Sequence, residues 1–136
     1  MQKQLDNVTV LVVEDEPIIA LDLQFLLEAS GARPVTLEHD MEGARQRLAG
    51  PDLPDVVILD LILGGRPSLP LAEELRQRNV PFLFLTGDPI GIPPGFADIS
   101  TIEKPFDTDQ LIATVGAVAG NHRIVGRIRS NRTAGE

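Results

Sequence analysis

Residues 8–17 have the sequence VTVLVVEDEP, and this segment decides the fold. It begins with a run in which only Thr9 is polar, continues with three acids and ends at Pro17. A short apolar run rich in Val predicts a strand buried on both faces, as in parallel sheets covered by helices. Proline suits the first turn of a helix. The segment therefore predicts a central strand, acids at its carboxyl end and a helix after them.

The same alternation of strand and helix continues along the chain. Strands are predicted at residues 8–13, 35–37, 56–60, 81–86 and 99–102. Helices are predicted to begin at Pro17, after Asp40, at Leu69 and after Asp107 or Thr108. Strict alternation of this kind predicts an α/β fold, a doubly wound five-stranded parallel sheet.

Three expectations concern the segments between the strands. The apolar residues of the first helix that are expected to face the core are Ile18, Leu21, Phe25 and Leu26. Gly31 is expected to end this helix. Residues 63–67 are expected to form a loop. Residues 87–97 are dense in proline and glycine, so we expect a loop or a short irregular turn there instead of a regular fourth helix.

The length of 136 residues and the composition fit a chain with one globular domain, which is expected over residues 1–120. The Arg-rich tail, residues 121–136, is expected to extend the last helix or to be disordered. A net charge of −8 argues against binding nucleic acid, whose affinity for proteins comes largely from Lys and Arg. No apolar stretch approaches the ~20 residues of a membrane span, so we expect a cytoplasmic protein.

Acids and one Lys stand where the predicted strands end. Glu14 and Asp15 follow the first strand, Asp60 ends the third and Lys104 follows the fifth. Parallel strands bring their carboxyl ends to one edge of the sheet, where ligands bind. A carboxylate there can attack phosphorus when a metal ion and a cation neutralise the phosphoryl oxygens. Asp60 is the candidate nucleophile, and Glu14 and Asp15 are candidate Mg²⁺ ligands.

Together with Thr86 at the end of the fourth strand and Lys104-Pro105-Phe106 after the fifth, these residues resemble the receiver domain of bacterial two-component response regulators. The resemblance extends from about Val8 to Ala119. It implies a flavodoxin-like receiver fold with strand order 2-1-3-4-5, here with a degenerate fourth helix. It also implies that Asp60 accepts a phosphoryl group from a sensor histidine kinase or a histidine phosphotransfer protein.

The resemblance further implies a metal ion, Mg²⁺ or Mn²⁺, and a docking surface. The implied metal ligands are Asp15, Asp60, the main-chain carbonyl of Ile62 and, through water, Glu14. Lys104 would pair with the phosphoryl group. The peptide bond before Pro105 is usually cis in this family. The first helix would pack against the helical hairpin of the kinase.

The switch is expected to differ from that of ordinary receivers. In the family, Thr86 would move to hydrogen-bond the phosphoryl group. The position of the partner aromatic residue is occupied here by Thr101, and the chain has no Tyr, so an aromatic swing is excluded. We expect instead that residues 87–98 become ordered on phosphorylation. Ile62 and Asp88 are the residues expected to tune the lifetime of the acyl phosphate.

A narrower resemblance rests on Leu63-Gly64-Gly65, Ser68-Leu69-Pro70 and residues 81–87. These segments are similar to the stand-alone receivers named FAT GUY. That subclass has Ala before the Thr, and a bulky residue and Tyr after the Gly. This chain has Leu85, Asp88 and Pro89 at those places.

The predicted function is that of a single-domain response regulator, which signals to a downstream protein by contact or acts as a phosphate carrier or sink. It is not expected to be an enzyme beyond catalysing its own phosphorylation and slow dephosphorylation. A monomer, or a dimer that forms on phosphorylation, is expected. One alternative is a degenerate receiver that docks without phosphorylation. The other is a small Mg²⁺-dependent phosphohydrolase, but such enzymes commonly have an acid where this chain has Ile62.

Overall fold

The computed structural model describes residues 3–120, and the Arg-rich tail lies outside them. The strands of the sheet are β1 (Val10–Val13), β2 (Val35–Glu38), β3 (Val56–Asp60), β4 (Phe82–Thr86) and β5 (Thr101–Glu103). The helices are α1 (Pro17–Ala29), α2 (Met41–Leu48), α3 (Leu69–Gln77) and α4 (residues 108–120). All five strands are parallel, in the order β2-β1-β3-β4-β5, which confirms the predicted doubly wound α/β fold.

Helices cover both faces of the sheet and create two cores, because successive side chains of a strand point to opposite faces. On one face, the strand residues Val10, Val12 and Ile58 pack with Leu23 and Leu27 of α1 and Leu111 and Val115 of α4. On the other face, Leu11, Val13 and Leu59 pack with Leu48 of α2 and Leu71 and Leu75 of α3. The central strands β1 and β3 are therefore buried on both sides, as their apolar sequences predict.

The predicted inner face of α1 is wrong. Ile18, Leu21 and Phe25 are 83%, 59% and 70% exposed, and only Leu26 of the expected stripe packs partly against the core. The buried residues of α1 are Ala20, Leu23 and Leu27. The helix is apolar around most of its circumference, so the 3.6-residue period allows two neighbouring stripes. Packing against α4 and the sheet selects one stripe and leaves the other in solvent.

Gly31 ends α1, as predicted. Its φ of +103° is open to glycine and strained for other residues, and its N–H donates to the carbonyl of Glu28 at 3.0 Å. A Cβ at this position would overlap Asp6. The N-terminal segment and the end of α1 are therefore packed directly against each other.

The predicted loop at residues 63–67 is wrong, because the chain forms a small antiparallel hairpin there. Ile62–Leu63 pairs with Arg66–Pro67 through a two-residue turn. Gly64 and Gly65 form that turn with φ of +56° and +76°. Two successive positive φ angles match the type I′ turn that tight hairpins prefer and that glycine readily forms. The hairpin directly follows β3 and so lies beside the sheet edge where the acids gather.

No α-helix connects β4 to β5, both of which lie within the described residues. Two 3₁₀ turns, Pro89–Gly91 and Pro94–Phe96, occupy the connection. The prolines lack the N–H groups that a continuous helix needs, which confirms the predicted short irregular structure. The sequence predicts the start of β5 at residue 99, but the N–H of Ile99 donates to the carbonyl of Phe96 at the end of the second turn, so the strand begins only at Thr101.

Candidate functional site

The register of the sheet brings the predicted acids together. β1 and β3 are neighbours with Val13 opposite Leu59, so the residues that follow, Glu14 and Asp60, stand side by side at the carboxyl edge. Carboxylate oxygens of Glu14, Asp15 and Asp60 all lie within 4.8 Å of one another. Glu14 and Asp60 are buried and Asp15 is exposed. The cluster therefore has a buried base and an open side.

Lys104 completes the cluster with a positive charge. Its Nζ lies 3.1 Å from Oε1 of Glu14 and 3.2 Å from Oδ2 of Asp60. The N–H of Lys104 donates to the carbonyl of Thr86 at 2.7 Å, which fixes the chain at the end of β5. The bond between Lys104 and Pro105 is cis. Among the described residues, Lys104 makes no ion pair with Glu103 or Asp107, its acidic neighbours in the sequence.

Burial and like charge act strongly on Glu14. Burial, followed by the hydrogen bond and the charge of Asp60, raises the pKa of Glu14 from 4.5 to about 8, although Lys104 opposes the rise. Burial alone would lower the pKa of Lys104, but its hydrogen bond to Glu14 and the charge of Asp60 outweigh burial and raise it. One ammonium group therefore does not balance the buried acids, and a further cation would be stabilised here.

The donor set fits a hard divalent cation, because carboxylate oxygens are the ligands that Mg²⁺ prefers. Asp15 is held in place by the N–H of Gly64, which donates to its Oδ2 at 3.0 Å. Ile62 lies in the first strand of the hairpin, two residues past Asp60, and the residue is 46% exposed. An apolar side chain there offers no group to orient a water molecule.

The predicted switch residues do not all lie in the cluster. Thr86 is buried at the end of β4, and its hydroxyl accepts from the N–H of Asp88 at 3.0 Å and donates to the carbonyl of Asp88 at 3.3 Å. The carboxylate of Asp88 in turn accepts from the N–H of Ile90. Thr101 lies on β5 and donates to the carbonyl of Ile99 at 3.4 Å. Thr86 and Asp88 are thus coupled, and Thr101 bonds within its own segment.

Sequence reasoning missed one residue that supports the site. Ser68 is fully buried, and its hydroxyl donates to the carbonyl of Asp60 at 2.6 Å. In the sequence it precedes Leu69-Pro70 and has the appearance of an ordinary helix cap. The contact joins residues eight positions apart across the hairpin, so it could not be found without the hairpin itself.

Fold and site together define a signalling domain, and comparison with known proteins identifies its family. Residues 10–116 match the family described as "Response regulator receiver domain". This match covers most of the chain, so the chain belongs to the response regulator receiver domain family. Receiver domains bind Mg²⁺ at an acidic pocket and receive their phosphoryl group from histidine kinases or phosphotransfer proteins.

Individual relatives agree with the family. The chain is 34% identical over 119 residues to the phosphate regulon transcriptional regulatory protein PhoB of Escherichia coli (strain K12), covering 80% of this chain and 50% of that protein. The chain thus spans about half of that relative's length.

A helix able to cross a membrane is absent from residues 3–120.

Two solved structures are similar over nearly their whole length. SdrG from Sphingomonas melonis Fr1 is 36% identical with a TM-score of 0.69, over 85% of this chain and 97% of that one. A putative response regulator from Chloroflexus aurantiacus J-10-fl is 28% identical with a TM-score of 0.74, over 85% of this chain and 99% of that one. The FAT GUY subclass stays a prediction.

Proposed function

We propose that this receiver domain accepts a phosphoryl group on Asp60 from a histidine kinase or a histidine phosphotransfer protein. The observation that carries the proposal is the placement of a buried Asp60 carboxylate 3.2 Å from the ammonium of Lys104, inside a cluster of three acids. A carboxylate in this position has beside it a cation that can pair with an incoming phosphoryl group, and an open side from which the donor can approach. The proposed reaction draws on ATP through the kinase and belongs in the cytoplasm.

In the proposed reaction, a carboxylate oxygen of Asp60 attacks the phosphorus of phosphohistidine. The new bond is an acyl phosphate, the broken bond joins phosphorus to the imidazole nitrogen, and the imidazole keeps the electron pair. Lys104 pairs with a phosphoryl oxygen as charge develops there. Glu14, Asp15, Asp60 and the carbonyl of Ile62 would hold Mg²⁺. When bound, Mg²⁺ (or Mn²⁺) supplies the charge that lets an anionic phosphoryl group approach the acids.

We propose that Thr86 reports the modification. To donate to a phosphoryl oxygen, its hydroxyl must give up the hydrogen bond that it now donates to the carbonyl of Asp88, because a hydroxyl has only one proton. The carbonyl of Asp88 then loses this donor, and residues 87–98, which Thr86 contacts through Asp88, should reorganise and become more ordered. Amide exchange at residues 87–98 should change on phosphorylation. Unchanged exchange there would contradict this part of the proposal.

The exposed apolar face of α1, formed by Ile18, Leu21 and Phe25, is the proposed docking surface for the partner's helical hairpin. α1 carries acids and no Lys or Arg, so the face is apolar with an acidic border. The kinase used in the test is the one that phosphorylates the native chain fastest. Leu21→Glu should slow phosphotransfer from this kinase about tenfold, which corresponds to about 1.4 kcal/mol of lost docking energy. Phosphorylation by acetyl phosphate tests that the fold is intact. Leu53→Glu, an exposed leucine outside α1, is the matched control.

Intact mass after incubation with Mg²⁺ and acetyl phosphate tests the proposed function. The native chain should gain one phosphoryl group, whereas Asp60→Asn and a metal-free sample should gain none. A gain by Asp60→Asn would move the acceptor to another residue. No gain by the native chain, from acetyl phosphate or from kinases, would favour the phosphorylation-independent docking module.

A further inference from the structure

Ser68 uses its side chain in an unusual way for its position. It is the residue before α3, where a serine ordinarily caps the helix, but its hydroxyl makes no cap hydrogen bond. The hydroxyl donates instead to the carbonyl of Asp60 at 2.6 Å, and it lies 3.1 Å from the carbonyl of Leu61. The N–H of Ser68 also donates to the carbonyl of Leu61, at 2.7 Å. One fully buried residue thus binds two consecutive carbonyls of the chain leaving β3.

These contacts close the base of the hairpin at residues 62–67. At the other end, the N–H of Gly64 in the turn donates to the carboxylate of Asp15 at 3.0 Å. The hairpin is therefore attached at its base to the backbone of Asp60 and at its tip to Asp15. The direction in which the chain leaves β3 is fixed from both sides.

We propose that Ser68 is a positioning residue for the phosphoryl-transfer site, and this inference rests on the proposed function. By holding the carbonyls of Asp60 and Leu61, it sets the orientation of the peptide groups on both sides of Leu61. The first of these peptide groups joins Asp60, which bears the carboxylate, to Leu61. The second joins Leu61 to Ile62, whose carbonyl is a proposed metal ligand. Groups that orient the ligands of a metal commonly change its affinity by 10–100-fold when they are removed.

A purely structural role would have a different signature. A buried serine that only satisfies backbone carbonyls contributes to the stability of the fold. Its removal would then lower the unfolding temperature and leave the affinity for Mg²⁺ unchanged. Metal affinity and phosphorylation rate must therefore be measured beside stability.

The test compares Ser68→Ala with Val35→Ala. Val35 is a buried residue at the start of β2, at the opposite edge of the sheet, so its truncation destabilises the fold without touching the site. Mg²⁺ alone is titrated into each unphosphorylated protein, and binding is followed through the amide chemical shifts of Gly64 and Gly65. Thermal unfolding and the rate of phosphorylation by acetyl phosphate are measured on the same samples.

Ser68→Ala should weaken Mg²⁺ binding by about tenfold or more and slow phosphorylation by a similar factor, while Val35→Ala leaves Mg²⁺ binding within about twofold of native. Ser68→Gly also removes the hydroxyl and keeps the N–H contact, so it should behave as Ser68→Ala does. It serves as the second variant if Ser68→Ala does not fold. Native Mg²⁺ affinity in both Ser68 variants, with reduced stability, would overturn the inference. Failure of the native chain itself to bind Mg²⁺ or accept phosphate would instead overturn the proposed function, and this inference with it.

Discussion

The acidic cluster lies at the carboxyl edge of the sheet, where the connection at residues 87–98 also begins, but the two regions are held in different ways. Glu14 directly follows β1, and Asp60 is the last residue of β3. These two strands are buried on both faces and paired with each other. Residues 87–98 contain two 3₁₀ turns and no regular helix. The acidic cluster is thus positioned by the backbone of the central strands, whereas residues 87–98 are held in place by a few side-chain contacts.

Arg76 and Phe96 provide much of that attachment. The guanidinium of Arg76 on α3 donates to the carbonyl of Gly95 at 2.9 Å and to Asp98 at 3.3 Å, and it lies 4.8 Å from the centre of the Phe96 ring. The ring of Phe96 packs edge-on against Phe84 of β4, with centroids 5.7 Å apart. Residues 87–98 are thus attached through side chains to α3 and β4, the strand that also carries Thr86.

The largest expected effect comes from removing the cation of the acidic cluster. Lys104→Met should slow phosphorylation by acetyl phosphate by about 10²-fold or more, because a preorganised charge beside the developing oxyanion is lost. Intact mass over time gives the rate. Lys3→Met, at the other lysine of the chain, should react as the native protein does. A native rate in Lys104→Met would exclude a role for this ammonium.

The buried acids should also give the metal-free protein an unusual pH dependence. Glu14 has a pKa near 4.5 when unfolded and about 8 when folded, so the folded state holds a proton that the unfolded state releases. The contribution of Glu14 to stability is therefore lost as pH rises from about 4.5 to about 8. Thermal unfolding in a chelator should show a decline over this window that Glu14→Gln removes. Identical pH profiles for the two proteins would contradict the assigned environment of Glu14.

Excess Mg²⁺ provides a second check on the same group. Binding a divalent cation favours the ionised carboxylate, so the affinity for Mg²⁺ should rise with pH up to about 8. In Glu14→Gln this rise should be smaller. Direct Mg²⁺ titration at several pH values measures it.

The attachment of residues 87–98 should respond to a smaller change. Arg76→Ala should lower the free energy of unfolding by about 1–2 kcal/mol and speed amide exchange at residues 95–99, since a cation–π contact and two hydrogen bonds are lost. Mg²⁺ binding should stay native, because these contacts do not reach the acids.

The smallest effect is expected from the control for that variant, Arg45→Ala. Arg45 pairs with Glu74 of α3 at 2.7 Å, and both side chains are nearly half exposed. Exposed pairs of this kind contribute about 0–1 kcal/mol, so unfolding should change little and exchange at residues 95–99 not at all. Equal effects of Arg45→Ala and Arg76→Ala on that exchange would remove the special role of Arg76.

The contrast between the regions also explains what the sequence can predict. An apolar run followed by Glu14 or ending in Asp60 predicts both a strand and the residue at which the strand ends. The fold and the clustering of the acids therefore follow from local sequence pattern and parallel topology. The exposed stripe of α1 could not be separated from the buried one, because residues such as Ile18 and Leu23 are equally apolar. Only packing against α4 and the sheet decides between them.

Two further features depend on long-range contacts. The hairpin strands are two residues each, too short for a periodic signal, although Gly64-Gly65 is a dipeptide typical of a tight turn. Ser68 contacts the carbonyl of Asp60 only because that hairpin returns the chain to β3. A buried polar residue of this kind is identified by its partner and not by its neighbours in sequence.

The most direct measurement is to locate the phosphoryl group chemically. After phosphorylation with Mg²⁺ and acetyl phosphate, borohydride reduction converts an acyl phosphate on Asp to homoserine, and peptide mass mapping finds the altered position. Reduction at residue 60 alone, and none in Asp60→Asn, is the expected result. Reduction at Glu14 or Asp15, or none in a chain that has gained a phosphoryl group, would contradict Asp60 as the phosphoacceptor.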